Sequence, residues 1–185
     1  MCEVTELTQK TDEELIELAN KGYMEGFEEI YYRYRDWTYR LAFRFTGGHE
    51  SALDVLQETF TYLLSKFPGF KLTAKMTTFL YPVVRHLSIL TIRKNKSYVS
   101  IDDIPDVFFT AAEDKLSQQQ RDLAEVLRAL PDKQREAVLM RFVDGMELRE
   151  IASVLGIPLG TVKSRLGNAL RTLRENPRTK TYFLE

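Results

Sequence analysis

The sequence predicts an all-α protein of two small helical domains joined by a flexible acidic linker, the second being a four-helix domain with a helix-turn-helix. Apolar residues recur at intervals of three and four, and strand-type alternation is nowhere sustained. The helical periodicity is interrupted between residues 97 and 115, where the chain is acidic. A length of 185 residues with 44% hydrophobic residues suits one medium domain or two small helical ones and excludes overall disorder.

The first predicted domain, residues 1–96, contains four helices. A capping box at Thr11-Asp12-Glu13-Glu14 opens the first. Apolar spacing from Phe27 to Phe45 indicates the second, which Thr46-Gly47-Gly48 stops. Ser51-x-x-Asp54 predicts the cap of the third, and Pro68-Gly69 its end. The fourth follows the loop 70–77 and runs to about Lys96.

The second predicted domain, residues 116–175, follows the linker 97–115. Leucines from Leu116 to Leu130 restore helical periodicity, and Pro131-Asp132 starts a helix that runs through Phe142. Asp144-Gly145 predicts a turn, after which two more helices follow. The tail 176–185, which contains Pro177, is expected to fray.

The net charge of -1 conceals an uneven distribution of charge. Residues 3–29 carry nine acids and two lysines, and residues 102–114 carry five acids and no basic residue. Four basic residues and no acid lie in 85–96, and six basic residues with one acid lie in 159–180. The two basic blocks fit nucleic acid, although solvated helix faces account for either block alone.

A helix-turn-helix is predicted from Ala152, Gly156 and Val162, spaced A-x3-G-x5-V. Alanine allows a close helix crossing, glycine accepts a positive φ in the turn, and valine fills the joint. An ordinary αα-hairpin remains the alternative for this spacing alone.

The helix after this turn has the pattern of a DNA-reading helix. Its apolar stripe consists of Val162, Leu166, Leu170 and Leu173. Short polar residues and an arginine occupy the opposite face: Thr161, Ser164, Gly167, Asn168 and Arg171, flanked by Lys163 and Arg165. A helix that enters the major groove needs side chains that hydrogen-bond to base edges in the middle of its face. It also needs cations at the borders, where the phosphates lie.

The third helix of the first domain combines a core stripe with an acidic face. The predicted core residues are Leu53, Leu56, Phe60, Leu63 and Phe67. Asp54, Gln57, Glu58 and Thr61 form the polar face, and Val55 and Tyr62 border it. This pattern favours a protein partner with a basic, partly apolar surface. Val55 and Tyr62 fit equally well as core residues of a helix packed on both sides.

The fourth helix is predicted to turn Val83, Leu87 and Leu90 inward. Its other side then carries Arg85, Ser88, Ile89, Ile92 and Lys96. Cations interleaved with isoleucines suit phosphates and unstacked bases, although such isoleucines are more often core or interface residues.

Several classes of function are excluded by what the sequence lacks. One cysteine and two distant histidines predict neither a disulfide framework nor a metal site. The sequence lacks paired carboxylates at the spacing of a catalytic pair, and it lacks a P-loop and a nucleophile elbow. Neither an enzyme nor a cofactor is therefore expected. No apolar run approaches the ~20 residues that span a bilayer, which predicts a cytoplasmic protein without membrane insertion.

The residues that carry a family resemblance lie in both domains. They are Gly26-Phe27-Glu28-Glu29-Ile30-Tyr31, Asp54-Val55-Leu56-Gln57-Glu58-Thr59-Phe60, Phe79-Leu80-Tyr81, Leu130-Pro131-Asp132-Lys133-Gln134-Arg135-Glu136-Ala137-Val138, Ile151-Ala152 and Gly160-Thr161-Val162-Lys163-Ser164-Arg165. With these motifs in this order, the chain resembles the extracytoplasmic-function (ECF) class of bacterial RNA polymerase sigma factors over residues 11–175.

The resemblance implies a role for each domain. The first corresponds to sigma region 2, which contacts core RNA polymerase, here through Asp54, Val55, Gln57, Glu58 and Tyr62. It also implies opening of the promoter -10 element by the loop 70–77, which captures a flipped base, and by Lys71, Lys75, Arg85, Ser88, Ile89, Ile92 and Lys96. The second domain corresponds to sigma region 4, which reads the -35 element through the helix already described. An anti-sigma factor is a further implied partner.

Five positions depart from the family pattern. Phe79 stands where Trp is usual, His86 where Asn is usual, and Leu90 where Asp is usual. Pro82 replaces a basic residue and is expected to kink the fourth helix or delay its start. Glu147 replaces the usual Ser/Thr cap of the first helix of the helix-turn-helix, a weaker cap by roughly 1 kcal/mol.

Two other classes of function remain open from the sequence. A free-standing helix-turn-helix regulator would bind a palindromic operator as a dimer, and a helical adaptor would keep only vestigial DNA contacts. The acidic linker is expected to follow a basic channel of the polymerase. It could alternatively shield the two basic blocks in the free protein.

Overall fold

The structure is a computed structural model that describes residues 7–95 and 118–180. Within these ranges every regular element is a helix, which confirms the predicted all-α class. The chain divides into two compact units, Met1–Ile104 and Pro105–Glu185. The predicted linker 97–115 lies outside the described residues, and its bounds stay a prediction.

The described part of the first unit includes the helices α1 (Asp12–Asn20), α2 (Met24–Thr46), α3 (His49–Leu64) and α4 (Met76–Asn95). The predicted capping box is confirmed, because the Glu14 carboxylate accepts from the Thr11 N–H at 2.7 Å and the Thr11 hydroxyl accepts from the Glu14 N–H at 3.3 Å. The bond from the Thr11 backbone lowers the pKa of the Glu14 carboxyl. Gly47, with φ 71°, ends α2 as expected.

The predicted start of α3 is wrong. The helix begins at His49 after an extended Gly48, so Ser51 already lies inside it and does not cap it. It also ends at Leu64, before the Pro68-Gly69 stop signal.

The core of the first unit is built around aromatic edges and one close helix crossing. The Phe60 ring meets Phe27 and Tyr31 edge to face, with ring centroids 6.5 Å and 4.9 Å away. Gly26 allows α2 to approach α1, because a Cβ there would lie 2.5 Å from the Leu15 carbonyl oxygen.

Two polar clusters fix the ends of α1. Asn20 accepts from the backbone N–H groups of Gly69 and Phe70 at 2.6 and 3.0 Å and donates to the Phe70 carbonyl at 2.9 Å. Asp12 accepts from Arg33 at 2.7 Å and from the Tyr34 hydroxyl at 2.5 Å. Burial, together with this bond to Asp12, raises the pKa of Tyr34. The Asn20 contacts hold the beginning of the loop 70–77 against α1.

The second unit contains α5 (Gln118–Ala129), α6 (Asp132–Phe142), α7 (Leu148–Leu155) and α8 (Leu159–Glu175). The predicted bounds of α6 and the turn at Gly145, with φ 71°, are confirmed. Arg135 is 3% exposed and donates to the Arg128 carbonyl and the Asp132 carboxylate, both at 2.5 Å. These bonds fix the end of α5 to the first turn of α6.

The expected fraying of the tail is wrong for residues 176–180. Thr179 is fully buried, and its hydroxyl donates to the Leu173 carbonyl. Arg178 forms an ion pair with Glu125 of α5. Residues 181–185 lie outside the described part of the chain.

Candidate nucleic-acid and protein interfaces

The helix-turn-helix has the geometry that its spacing predicts. Gly156 ends α7 in the left-handed conformation, with φ 63°, and Val162 is fully buried in α8. The start of α7 is held by Glu150, whose carboxylate accepts from the Glu147 N–H at 2.6 Å. Glu147 was expected to be a weaker cap than Ser or Thr. The bond from its backbone N–H to the Glu150 carboxylate, which is one of the two bonds of a capping box, compensates for this.

The buried side of α8 consists of Val162, Leu166, Ala169 and Leu173. Leu170, which the sequence placed in the stripe, is half-buried, and the smaller Ala169 takes the fully buried position.

The candidate reading face of α8 lies opposite this stripe. Lys163, Ser164, Gly167, Asn168 and Arg171 are exposed, while Thr161 and Arg165 are half-buried. Arg171 donates to the Asn168 side-chain oxygen at 3.0 Å, and the Ser164 hydroxyl donates to the Thr161 carbonyl at 3.0 Å. Apart from its chain neighbours and the backbone of its own helix, nothing lies within 4 Å of where a Cβ on Gly167 would be. The face is open, polar and basic at its borders.

The predicted faces of α3 need two corrections. Val55 is fully buried, so it cannot offer an exposed contact, and Leu53 is 43% exposed although it was predicted to be core. The reason is that α2 and α4 both pack against α3. The fully buried stripe therefore includes Ala52, Val55 and Leu63, with Thr59.

The remaining polar residues of α3 are brought together. Asp54, Gln57, Glu58 and Tyr62 line an open cleft of about 600 Å³ between α3 and α4. Leu87 and Lys94 belong to its α4 side. The Tyr62 ring is stacked on the Phe79 ring, with an interplanar angle of 16°. The Lys66 Nζ lies over the Tyr62 ring, 4.2 Å from its centroid.

The predicted orientation of α4 is wrong at three positions. Ser88 is fully buried and Ile92 is 8% exposed, whereas Leu90, predicted to be inward, is 45% exposed. The buried residues Leu80, Val84, Ser88 and Ile92 repeat every four positions. This spacing was visible in the sequence, but the polar Ser88 interrupts it and the three apolar residues 83, 87 and 90 gave a competing stripe.

The other predicted -10 residues remain accessible. Lys71, Lys75 and Arg85 are exposed and Ile89 is half-buried, while Lys96 lies outside the described residues. Pro82 does not delay the helix, because α4 begins six residues before it and continues beyond it. The proline sits on the exposed side of α4, where its missing N–H removes one helical hydrogen bond.

The part of the chain that the structure describes contains no cluster of three or more His, Cys, Asp or Glu residues that could hold a metal ion. Among the described helices, none is long and apolar enough to cross a membrane.

Comparison with known proteins identifies both units. Residues 30–98 match the family described as Sigma-70 region 2, and residues 115–173 match Sigma-70 region 4. ECF RNA polymerase sigma factor SigW of Bacillus subtilis is 30% identical over 179 residues, covering 88% of this chain and 95% of SigW. RNA polymerase sigma factor SigV of the same organism is 30% identical over 136 residues, covering 74% of this chain and 81% of SigV.

A solved structure shares the fold. CnrH, in complex with the cytosolic domain of CnrY, superposes with a TM-score of 0.59 at 20% identity, covering 87% of this chain and 93% of CnrH. The two sigma regions, in this order on two helical units, define a sigma factor of RNA polymerase. Within that class, the chain belongs to the ECF sigma factor family.

Proposed function

We propose that this ECF sigma factor directs promoter-specific transcription initiation by dividing the work between its two units. The second unit reads the -35 element with α8, and the first binds core RNA polymerase and opens the -10 element. The observation that carries the proposal is the reading face of α8, which is polar, exposed and bordered by cations.

Recognition of the -35 element is assigned to Thr161, Lys163, Ser164, Arg165, Gly167, Asn168 and Arg171. The exposed Ser164, Asn168 and Arg171 follow one another along the helix within reach of base edges. Lys163 and Arg165 lie at the borders, where phosphates pass when a helix enters the major groove. The hydrogen bond between Arg171 and Asn168 fixes both side chains before DNA arrives, which reduces the entropy lost on binding.

Binding to core RNA polymerase is assigned to the cleft side of α3. Asp54, Gln57, Glu58 and Tyr62 offer carboxylates, an amide and an aromatic ring on one accessible surface. This surface fits a basic partner helix with an apolar component. Val55 supports the surface from the core and makes no direct contact.

Opening of the -10 element is assigned to Lys71 and Lys75 in the loop and to Arg85 and Ile89 on α4. Asn20 fixes the beginning of the loop, and Phe70 packs at 5.0 Å from the Phe79 ring. A loop held at one end is suited to capturing an unstacked base. Unstacking costs a few kcal/mol, which polymerase binding and base capture together offset.

The protein acts in the cytoplasm as a transcription factor without catalytic residues of its own. Control by an anti-sigma factor is supported by a solved structure of similar fold, in which the sigma factor RpoE of Bartonella quintana is in complex with the anti-sigma factor NepR.

The proposal is tested by adding purified protein to bacterial core RNA polymerase and sequencing the transcripts from a genomic template library. Promoter-selective transcripts with a shared two-part element support it. Transcripts no more selective than those of core polymerase alone contradict it. A free-standing regulator would instead bind its site tightly without polymerase, and an adaptor would keep its activity when Lys163 and Arg165 are reversed in charge.

A further inference from the structure

The exposed face of α4 has an unusual composition. Five of its described side chains are exposed: Pro82, Arg85, His86, Leu90 and Lys94. At ~100° per residue they spread over roughly half of the helix circumference, with Arg85 at one border and Lys94 at the other. The middle therefore carries two aliphatic side chains and one imidazole, and half-buried Ile89 adjoins them.

Packing of the core of the first unit does not explain the apolar side chain at Leu90. It is 45% exposed, while Leu80, Tyr81 and Val84 fill the buried side of the same helix. Its apolar surface is available to a partner, and burial of that surface would be favourable.

The charge of α4 indicates which partner this is. The helix contains Arg85, Arg93 and Lys94 and no acidic residue. A polyanion is attracted to such a face, whereas a basic protein surface is repelled. The face thus suits DNA, with cations for the phosphates and an aliphatic centre for the bases.

The aliphatic centre restricts how bases can be read. Pro82 and Leu90 have no side-chain donor or acceptor, so His86 is the hydrogen-bonding group beside Arg85 and Lys94 among the exposed described side chains of α4. The apolar feature that a base pair presents in the major groove is the thymine C5-methyl group. A leucine between cations is complementary to that methyl group.

We propose that Leu90 recognises a thymine methyl group of the -10 element by apolar contact, with Arg85 holding a neighbouring phosphate. This inference rests on the proposed function, since it requires α4 to meet the -10 element. It assigns to Leu90 a contribution to specificity that is made without a hydrogen bond.

The test replaces thymine by deoxyuridine, which removes the methyl group and preserves base pairing. A promoter is first selected by the wild-type holoenzyme from a library with a randomised -10 region. Each thymine of the selected -10 element is then replaced singly, and open-complex formation is measured. At one position we expect about a fourfold loss, the effect of burying one methyl group. Leu90→Ala holoenzyme should be slower on the thymine promoter and should show no further loss with deoxyuridine there.

Leu123→Ala is the matched control. Leu123 is 38% exposed and lies on α5 of the other unit, so the same truncation should leave the wild-type response to deoxyuridine intact. Thermal unfolding by circular dichroism verifies that both variants fold.

The outcomes separate this inference from the proposed function. Absence of promoter-selective transcription by the wild type overturns both. Selective transcription with an equal deoxyuridine effect in wild type and Leu90→Ala overturns the inference alone. A Leu90→Ala variant that loses binding to a protein partner and keeps the full deoxyuridine effect also overturns it, because Leu90 then contacts protein.

Discussion

At the scale of single residues, Gly167 is unfavourable for the stability of α8 and favourable for the function that we propose for it. Glycine inside a helix costs about 1 kcal/mol relative to alanine. Apart from its chain neighbours and the backbone of α8, nothing lies within 4 Å of where a Cβ on Gly167 would be. Nothing in the packing of the second unit explains why this position lacks a side chain. The close approach of α8 to DNA that we propose accounts for it.

Gly167→Ala should therefore stabilise the second unit by up to about 1 kcal/mol and weaken -35 recognition. Urea unfolding and transcription from promoters with intact and scrambled -35 elements measure the two effects. Gly160→Ala is the matched control, since it also has open space around it and lies outside the assigned contacts. Unchanged -35 discrimination in Gly167→Ala would contradict the assignment.

Tyr34 links the stability of the first unit to alkaline pH. Its pKa is raised by burial and by the hydrogen bond to Asp12, so the folded state favours the neutral hydroxyl. An unfolded tyrosine ionises near pH ~10. The stability that Tyr34 contributes is fully present below that pH and is lost as the pH rises towards the higher folded pKa.

Tyr34→Phe should lower the free energy of unfolding by about 1–2 kcal/mol at neutral pH and reduce the further loss above pH ~10. Denaturant unfolding at a series of pH values measures both. Tyr23→Phe, at a tyrosine that is 58% exposed, should change neither quantity. The same alkaline slope in Tyr34→Phe as in the wild type would show that other groups cause it.

At the scale of the helices, the sequence predicted the order of α1 to α8 and most of their ends. Capping residues and glycines act locally, so Thr11, Gly47 and Gly156 identify helix ends correctly. The faces of α3 and α4 depend on which helices pack against them, and this is not local information. For α3 the packing against both α2 and α4 places Val55 in the core, which its own sequence pattern left open.

The crossing of α1 and α2 depends on Gly26. A Cβ would lie 2.5 Å from the Leu15 carbonyl oxygen and 2.9 Å from the Leu18 Cβ, so backbone must move. Gly26→Ala should cost about 1–3 kcal/mol in the first unit, measured by chemical denaturation. Gly48→Ala, whose nearest contact is at 3.8 Å, should cost less than Gly26→Ala. Equal costs would show that the crossing tolerates a methyl group.

At the scale of the whole molecule, the near-zero net charge is a sum over parts with different partners. Replacing Asp102, Asp103, Asp106, Glu113 and Asp114 by Asn or Gln should weaken holoenzyme assembly or early initiation if the linker follows a basic polymerase channel. Assembly is measured by competition for core polymerase, and initiation by abortive transcription. If both are unchanged while the free protein binds DNA more tightly at low salt, the acids shield the basic blocks instead.

The ion pair between Glu125 and Arg178 joins α5, the first described helix of the second unit, to the segment that follows α8. Two segments that meet in this way permit a new connectivity, because a peptide can join residues 118 and 180 while another surface loop is cut. The turn at Asp144-Gly145, far from the reading face in sequence, is a suitable place for the cut. A second unit rearranged in this way should keep its helices and present α8 with its order of side chains unchanged.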